Sequence, residues 1–312
     1  MTATILYDCS DFAKDLWISE FERQKTDLMD LRISPDTGPL EDIEYLIVAG
    51  LDYSPLDRYP NLKAILSQWA GVNHILEDKT LPAGIPVIRM SDLSLKGGMI
   101  EYISYHTLRH HLRAKAYEAQ QKERLWKGLS VPFAPQRHVG ILGLGALGST
   151  VAQALAHLGF QVHGWSRSLK TIKGVTCHAG PGALKDMLQV SEILVCLLPL
   201  TDETTDILNA NLFAQLPLGA YLINVGRGGH LKEQDLIPAI KSGQLAGAAL
   251  DVFKTEPLPQ KHPFWDHPAI TITPHMASWT RPETGVEYLL NVIKYLESGE
   301  HPGPLADRKL GY

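Results

Sequence analysis

HVGILGLGALGSTVAQALAHLG, residues 138–159, is the stretch on which the fold turns. An apolar run, His138 to Leu142, reads as a buried strand. Gly143-Leu144-Gly145-Ala146-Leu147-Gly148 follows, and it opens a helix with apolar residues at 147, 151, 154, 155 and 158 that Gly159 stops. Three glycines at this spacing are weak evidence alone. Between a strand and a helix they permit a tight turn and bring backbone N–H groups to the phosphates of a dinucleotide.

Working outward, apolar cores recur at 161–165, 193–198, 221–225, 246–250 and 270–273. With Val139–Leu142 they make six strands separated by helical patterns, which matches a doubly wound dinucleotide-binding sheet. Upstream, strands are expected at 4–7, 45–49, 64–67 and 87–89. A helix between the first two, capped by Ser10, would bury Phe12, Trp17 and Phe21. Alternation of this kind predicts a second parallel sheet. From Gly98 to about Gly128 the pattern is helical, and one continuous helix would span about 45 Å. The loop at 130–137 ends it. Pro238 predicts a short or kinked helix within 232–242. A final helix is expected from the capping signature Thr280-Arg-Pro-Glu283, with Val286, Leu289, Leu290, Ile293 and Leu296 on its apolar face and Gly299 as its stop.

The fold class is therefore α/β, with two doubly wound parallel-sheet domains. Residues 99–282 would form the dinucleotide-binding domain, and 1–98 with 283–312 a smaller one. At 312 residues the chain suits two domains. Hydrophobic residues make up 45% and charged residues 20%, which excludes disorder. A net charge of −5 and the absence of basic runs leave no footprint for nucleic acid or an anionic membrane. No signal sequence or membrane-length apolar run is read. Three scattered cysteines, Cys9, Cys177 and Cys196, suit a reducing cytoplasm.

The strand at 161–165 ends in Trp165-Ser166-Arg167-Ser168. A site selective for NAD places Asp or Glu here to bind the ribose hydroxyls. Two hydroxyls and a guanidinium suit a 2′-phosphate instead, so NADP is expected, with NAD possible as well. Three further strand ends carry polar residues: Asn224-Val-Gly-Arg227, Asp251-Val-Phe-Lys-Thr-Glu256 and Thr273-Pro-His275. A cation for a carboxylate, a histidine to move a proton and a carboxylate to hold it are the parts needed to reduce a ketoacid. His106 and His110 have the i,i+4 spacing of metal ligands, but with no Glu between them and no third ligand they read, with His111, as packing or interface residues. No metal is expected.

Together with the glycine loop, these segments resemble the D-2-hydroxyacid dehydrogenase family over nearly the whole chain. The early Trp69-Ala70-Gly71-Val72-Asn73, LDVFKTEPLP, HPAITITPH and the terminal Gly311-Tyr312 point to its branch reducing glyoxylate and hydroxypyruvate. The resemblance implies a cleft between the domains, with Arg227 holding the substrate carboxylate and carbonyl. His275 would protonate the carbonyl oxygen, with Glu256 hydrogen-bonded to it. Asp251 would meet the nicotinamide carboxamide, and Leu198, Pro199 and Thr204 would line the cofactor. Backbone N–H groups around Ala70, Gly71 and Val72 would cradle the substrate carboxylate. The resemblance further implies a homodimer in which Trp126 reaches across. The loop Ala49-Gly-Leu51-Asp-Tyr53 departs from the branch, so Leu51 or Tyr53 lining the pocket would admit a bulkier ketoacid. Some relatives serve instead as dinucleotide-sensing corepressors, and that alternative stays open.

Overall fold

The computed structural model describes residues 2–9, 13–50, 53–300 and 305–308. Two units divide the chain, Met1–Leu95 with Trp279–Tyr312, and Lys96–Ser278. Ser10, Phe12, Leu51 and the terminal Gly311-Tyr312 lie outside the described residues.

The first unit begins with β1 (Ala3–Cys9), α1 (Lys14–Gln24), β2 (Met29–Ile33), β3 (Tyr45–Ala49), β4 (Ala64–Ser67), α2 (Asn73–Leu76) and β5 (Val87–Ile88). All neighbours pair in parallel, in the order β2-β1-β3-β4-β5. Every residue of β3, Tyr-Leu-Ile-Val-Ala, is buried, as a central parallel strand covered on both faces requires. α1 buries Trp17 and Phe21 as expected. β2 was not expected: it is an edge strand, Met-Asp-Leu-Arg-Ile, with every residue only half-buried. Tyr53 is part of this unit's hydrophobic core at 2% exposed, which corrects its reading as a pocket-lining residue.

α3 (Leu93–His111) and α4 (Ala114–Lys122) replace the single long helix expected over 98–128. The break falls at Arg113, whose φ of 55° lies in the left-handed region and interrupts the helix. His106 packs between Tyr102 and Tyr105, His110 stacks on Tyr221 and His111 meets Phe160 edge-on. All three therefore do packing work.

The second unit continues with β6 (His138–Leu142), α5 (Ala146–His157), β7 (Gln161–Ser166), β8 (Val175–Ala179), α6 (Gly180–Val190), β9 (Ile193–Cys196), α7 (Ala210–Phe213), β10 (Ala220–Asn224), α8 (Glu233–Lys241), β11 (Leu245–Leu250) and β12 (Ile270–Ile272). Seven parallel strands run in the order β12-β11-β10-β9-β6-β7-β8. The six expected strands are present. The seventh, β8, is a half-polar edge strand that the apolar pattern does not reveal. α8 contains Pro238 and is only nine residues long.

α9 (Pro282–Ser298) returns to the first unit. It starts with Pro282 at its first position, but its N-cap is Arg281 and no side chain caps it, which corrects the expected Thr280–Glu283 box. Thr280 is buried, and the Thr284 hydroxyl contacts the Asp92 carboxylate instead. Val286, Leu289, Leu290 and Ile293 are buried, and Gly299 ends the helix with φ 76°. The cavity a side chain at Gly285 would fill is taken by the Trp17 ring, so α1 and α9 meet closely.

Candidate active site

In an open parallel sheet, ligands collect beyond the carboxyl ends of strands where the strand order reverses. In the second unit that point lies between β6 and β9. The Gly143–Gly148 turn follows β6, Leu198-Pro199 follows β9, and Arg227, Asp251–Glu256 and His275 follow β10, β11 and β12. The carboxyl ends of one sheet therefore carry the glycine turn, Arg227, Asp251, Glu256 and His275.

The glycine turn has the shape a pyrophosphate needs. Gly145 is exposed as the N-cap of α5, and no heavy atom lies within 4 Å of where its Cβ would stand. That gap leaves backbone N–H groups at the helix N-terminus approachable by phosphate. Gly148 is required for a different reason: a Cβ there would stand 1.8 Å from the Gly143 carbonyl oxygen. Leu144 and Gly148 are buried, while Gly145 and Ala146 are exposed and Leu147 is half-buried. At the end of β7 the Ser166 hydroxyl donates to the Ser168 carbonyl at 2.8 Å, and Arg167 and Ser168 are exposed. No carboxylate occupies this strand end, and the Arg167 charge is felt by Glu203, whose carboxyl is lowered mainly by a hydrogen bond from Thr201 and only last by Arg167. A 2′-phosphate fits such a donor set.

Arg227 sits in a tightly held turn. Asn224, fully buried, donates from Nδ2 to the Arg227 carbonyl at 3.3 Å and accepts from the Gly226 N–H at 3.3 Å. Arg227 Nη1 donates to the Gly226 carbonyl at 2.7 Å. Burial lowers the guanidinium pKa and Glu256 opposes the shift. A guanidinium starts so high that it remains charged.

His275 Nδ1 meets Glu256 Oε2 at 2.7 Å, and Glu256 Oε1 accepts the Phe253 N–H at 2.8 Å. Burial pushes the Glu256 carboxyl up, but the hydrogen bonds from His275 and Phe253 outweigh it and leave the group below its ordinary value. His275 itself has φ 56°, an unusual conformation for a residue with a side chain. The reason is Asp251, 1% exposed. Its Oδ1 accepts from the Thr273 hydroxyl at 2.6 Å and the Met276 N–H at 2.8 Å, and its Oδ2 from the Ala277 N–H at 2.9 Å. The His275 N–H donates to the Asp251 carbonyl at 2.9 Å. The Thr273 hydroxyl, having spent its proton on Asp251, accepts from the Tyr102 hydroxyl at 2.7 Å. Asp251 thus clamps the turn that presents His275, a role the sequence reading did not assign to it.

Thr204 knots the segment after β9, accepting from the Thr201 N–H at 2.8 Å and donating to the Pro199 carbonyl at 2.7 Å. Leu198 is buried and Pro199 half-buried. Ala70, Gly71 and Val72 belong to the first unit, in the turn between β4 and α2, with Val72 as the N-cap of α2. Tyr102 and His230 are polar partners missed from the sequence, and Thr273, which the sequence places at the strand end, was given no partner there. His230 stands three residues beyond Arg227, but its second partner, Pro199, is 31 residues away in sequence and left no local signal.

Comparisons with known proteins place the chain among its relatives. Residues 105–277 match the model of the D-isomer specific 2-hydroxyacid dehydrogenase, NAD binding domain. Glyoxylate/hydroxypyruvate reductase A of Yersinia enterocolitica is 42% identical over 284 residues, 88% of this chain and 90% of the relative. The protein of the same name from Serratia proteamaculans is 44% identical over 274 residues, 86% and 88% of the two chains. A D-isomer specific 2-hydroxyacid dehydrogenase of Xanthobacter autotrophicus, solved with NADPH and MES, superposes with a TM-score of 0.93 at 37% identity, covering 100% of this chain and 99% of the other. An NADPH-dependent glyoxylate/hydroxypyruvate reductase of Sinorhizobium meliloti, solved with NADP and sulfate, gives 0.93 at 34% identity and full coverage of both, 100% and 100%. With the glycine turn and the Arg227, Glu256 and His275 strand ends in one sheet, the chain belongs to the D-isomer-specific 2-hydroxyacid dehydrogenase family.

Proposed function

We propose that the protein reduces small 2-ketoacids, glyoxylate and hydroxypyruvate among them, to D-2-hydroxyacids, and that it prefers NADPH to NADH. The observation that carries this reading is the 2.7 Å contact between His275 Nδ1 and Glu256. With Nδ1 donating to a carboxylate kept ionised, the ring is fixed so that Nε2 can offer a proton to a carbonyl oxygen. Arg227, charged and braced by Asn224, would hold the substrate carboxylate. Bound NADPH would supply the hydride to the carbonyl carbon. The names of the Yersinia and Serratia relatives and the NADP held by the Sinorhizobium structure support the substrate and the nucleotide.

The test is NADPH oxidation over a panel of 2-ketoacids, repeated with NADH. His275→Asn should lower turnover by roughly 100-fold or more while NADPH still binds. Near-normal turnover in that variant would remove His275 as the donor.

We further propose a homodimer in a reducing cytoplasm. Among the described residues no helix is long and apolar enough to cross a membrane. Trp126 is fully exposed on its own chain, near the exposed Leu125 and Tyr117, which supports an apolar contact with a second copy. Light scattering of the protein and of Trp126→Ala checks it: a dimer that the variant weakens is expected, and a monomeric parent would end the idea.

A further inference from the structure

His230 is fully buried at the end of a short turn, Gly228–His230, that leads from Arg227. Its imidazole touches polar atoms on two separate segments. Nδ1 lies 2.9 Å from the Arg227 backbone N–H donor, and Nε2 lies 3.1 Å from the Pro199 carbonyl oxygen. A peptide N–H can only donate and a carbonyl can only accept. Nδ1 also lies 3.1 Å from the Arg227 carbonyl oxygen, the longer of its two contacts with that residue. The neutral tautomer with its proton on Nε2 satisfies the shorter Nδ1 contact and the Pro199 contact together, accepting from the Arg227 N–H and donating to the Pro199 carbonyl. Burial lowers the His230 pKa, and the Arg227 charge adds to that, against the smaller raising effect of the carbonyls of Pro199 and Arg227. The neutral form is what the Arg227 N–H contact needs.

The two segments bridged in this way do different things. Arg227 is the residue assigned to the substrate carboxylate, and Leu198-Pro199 is the segment assigned to the cofactor. Further along the chain from Pro199, the backbone is also stitched to this turn, by Asp206 N–H to the Gly229 carbonyl and Leu208 N–H to the His230 carbonyl, each at 2.9 Å. Those bonds set the separation of the chains. The imidazole, by contrast, reaches the atoms next to the two binding residues.

We propose that His230 is a positioning residue for the reaction, setting Arg227 through Nδ1 and the Pro199 turn through Nε2, so that substrate and nucleotide binding share one support. The proposal rests on the reading of Arg227 and Leu198-Pro199 given above. The two nitrogens can be separated by substitution. Asn places an amide oxygen where Nδ1 stands and can keep the Arg227 bond. Gln places an amide nitrogen where Nε2 stands and can keep the Pro199 bond.

The experiment measures KM for glyoxylate, kcat and the Kd for NADPH, the last by nucleotide fluorescence, in the full-length protein, His230→Asn and His230→Gln. His230→Asn should weaken NADPH by about tenfold, the scale of one hydrogen bond, and leave KM within about twofold. His230→Gln should do the reverse, raising KM by about tenfold with NADPH affinity kept. A merely structural histidine would not split the two constants. Equal changes in both constants, no change in either, or loss of a cooperative melting transition in both variants would overturn the proposal. If the parent binds NADPH but reduces no ketoacid, the substrate reading fails separately. The nucleotide arm then decides His230 alone: affinity kept by Gln and lost by Asn supports it, and equal affinities overturn it.

Discussion

At the scale of single residues, the chemistry depends on how a few charged atoms are held. Asp251 is the clearest case, because a buried carboxylate taking three donors from one turn stabilises that turn more than an exposed ion pair could. Asp251→Asn turns one acceptor into a donor facing a donor. It should cost about 3 kcal/mol in urea denaturation and lower turnover with it; unchanged stability would show that the turn holds itself. Arg167 is the residue proposed to meet the 2′-phosphate of the nucleotide. Arg167→Ala is expected to weaken NADPH by about 2 kcal/mol, the scale of a charge-assisted hydrogen bond, and to leave NADH nearly untouched, read by titrating each nucleotide. The residues of this layer were unevenly legible. Arg227, Glu256, His275 and the glycine turn stand at strand ends that the apolar pattern predicts. His230 was one of 13 histidines, and what distinguishes it is partners on the far side of a loop.

At the scale of elements, the strands that apolar runs announce are present, and the two that were missed are both edges. β2 and β8 face solvent on one side, so their composition is half polar and their signal is weak. The long helix was misjudged because Leu112-Arg113 contains neither Gly nor Pro to announce the break between α3 and α4. Arg113 is left in the left-handed region. Arg113→Gly should therefore be neutral or stabilising by up to about 1 kcal/mol in a denaturant series, and destabilisation would mean the arginine side chain holds the corner. Gly228 is the opposite case. A Cβ there would lie 1.9 Å from the Phe253 carbonyl carbon, so the Arg227 turn rests directly on the backbone that leads to Glu256. Gly228→Ala should cost several kcal/mol, about 3 or more, and abolish activity, with loss of soluble protein or a lowered melting temperature as the readout.

At the scale of the whole molecule, acid is the natural stress. Burial lowers His106, His110 and His163 to about 4, and lowers His111 and His230 as well. A histidine depressed in the folded state takes up its proton on unfolding at about 6.5, so its stability contribution is full above that value. As pH falls from about 6.5 toward 4, the unfolded chain binds more protons than the folded one and stability declines. The melting temperature should drop steadily across this window, and His163→Asn should flatten the slope; a constant melting temperature from 7 to 5 would refute the account. The second unit is continuous in sequence, but the first is closed only by α9, which lays Gly285 against Trp17. During synthesis the early strands β1–β5 must therefore wait, without their last helix, while the intervening unit is made. At roughly 5–20 residues per second that is a delay on the order of ten seconds or more. Through that interval the unfinished sheet carries uncovered apolar surface, a substrate for chaperones before it is an enzyme.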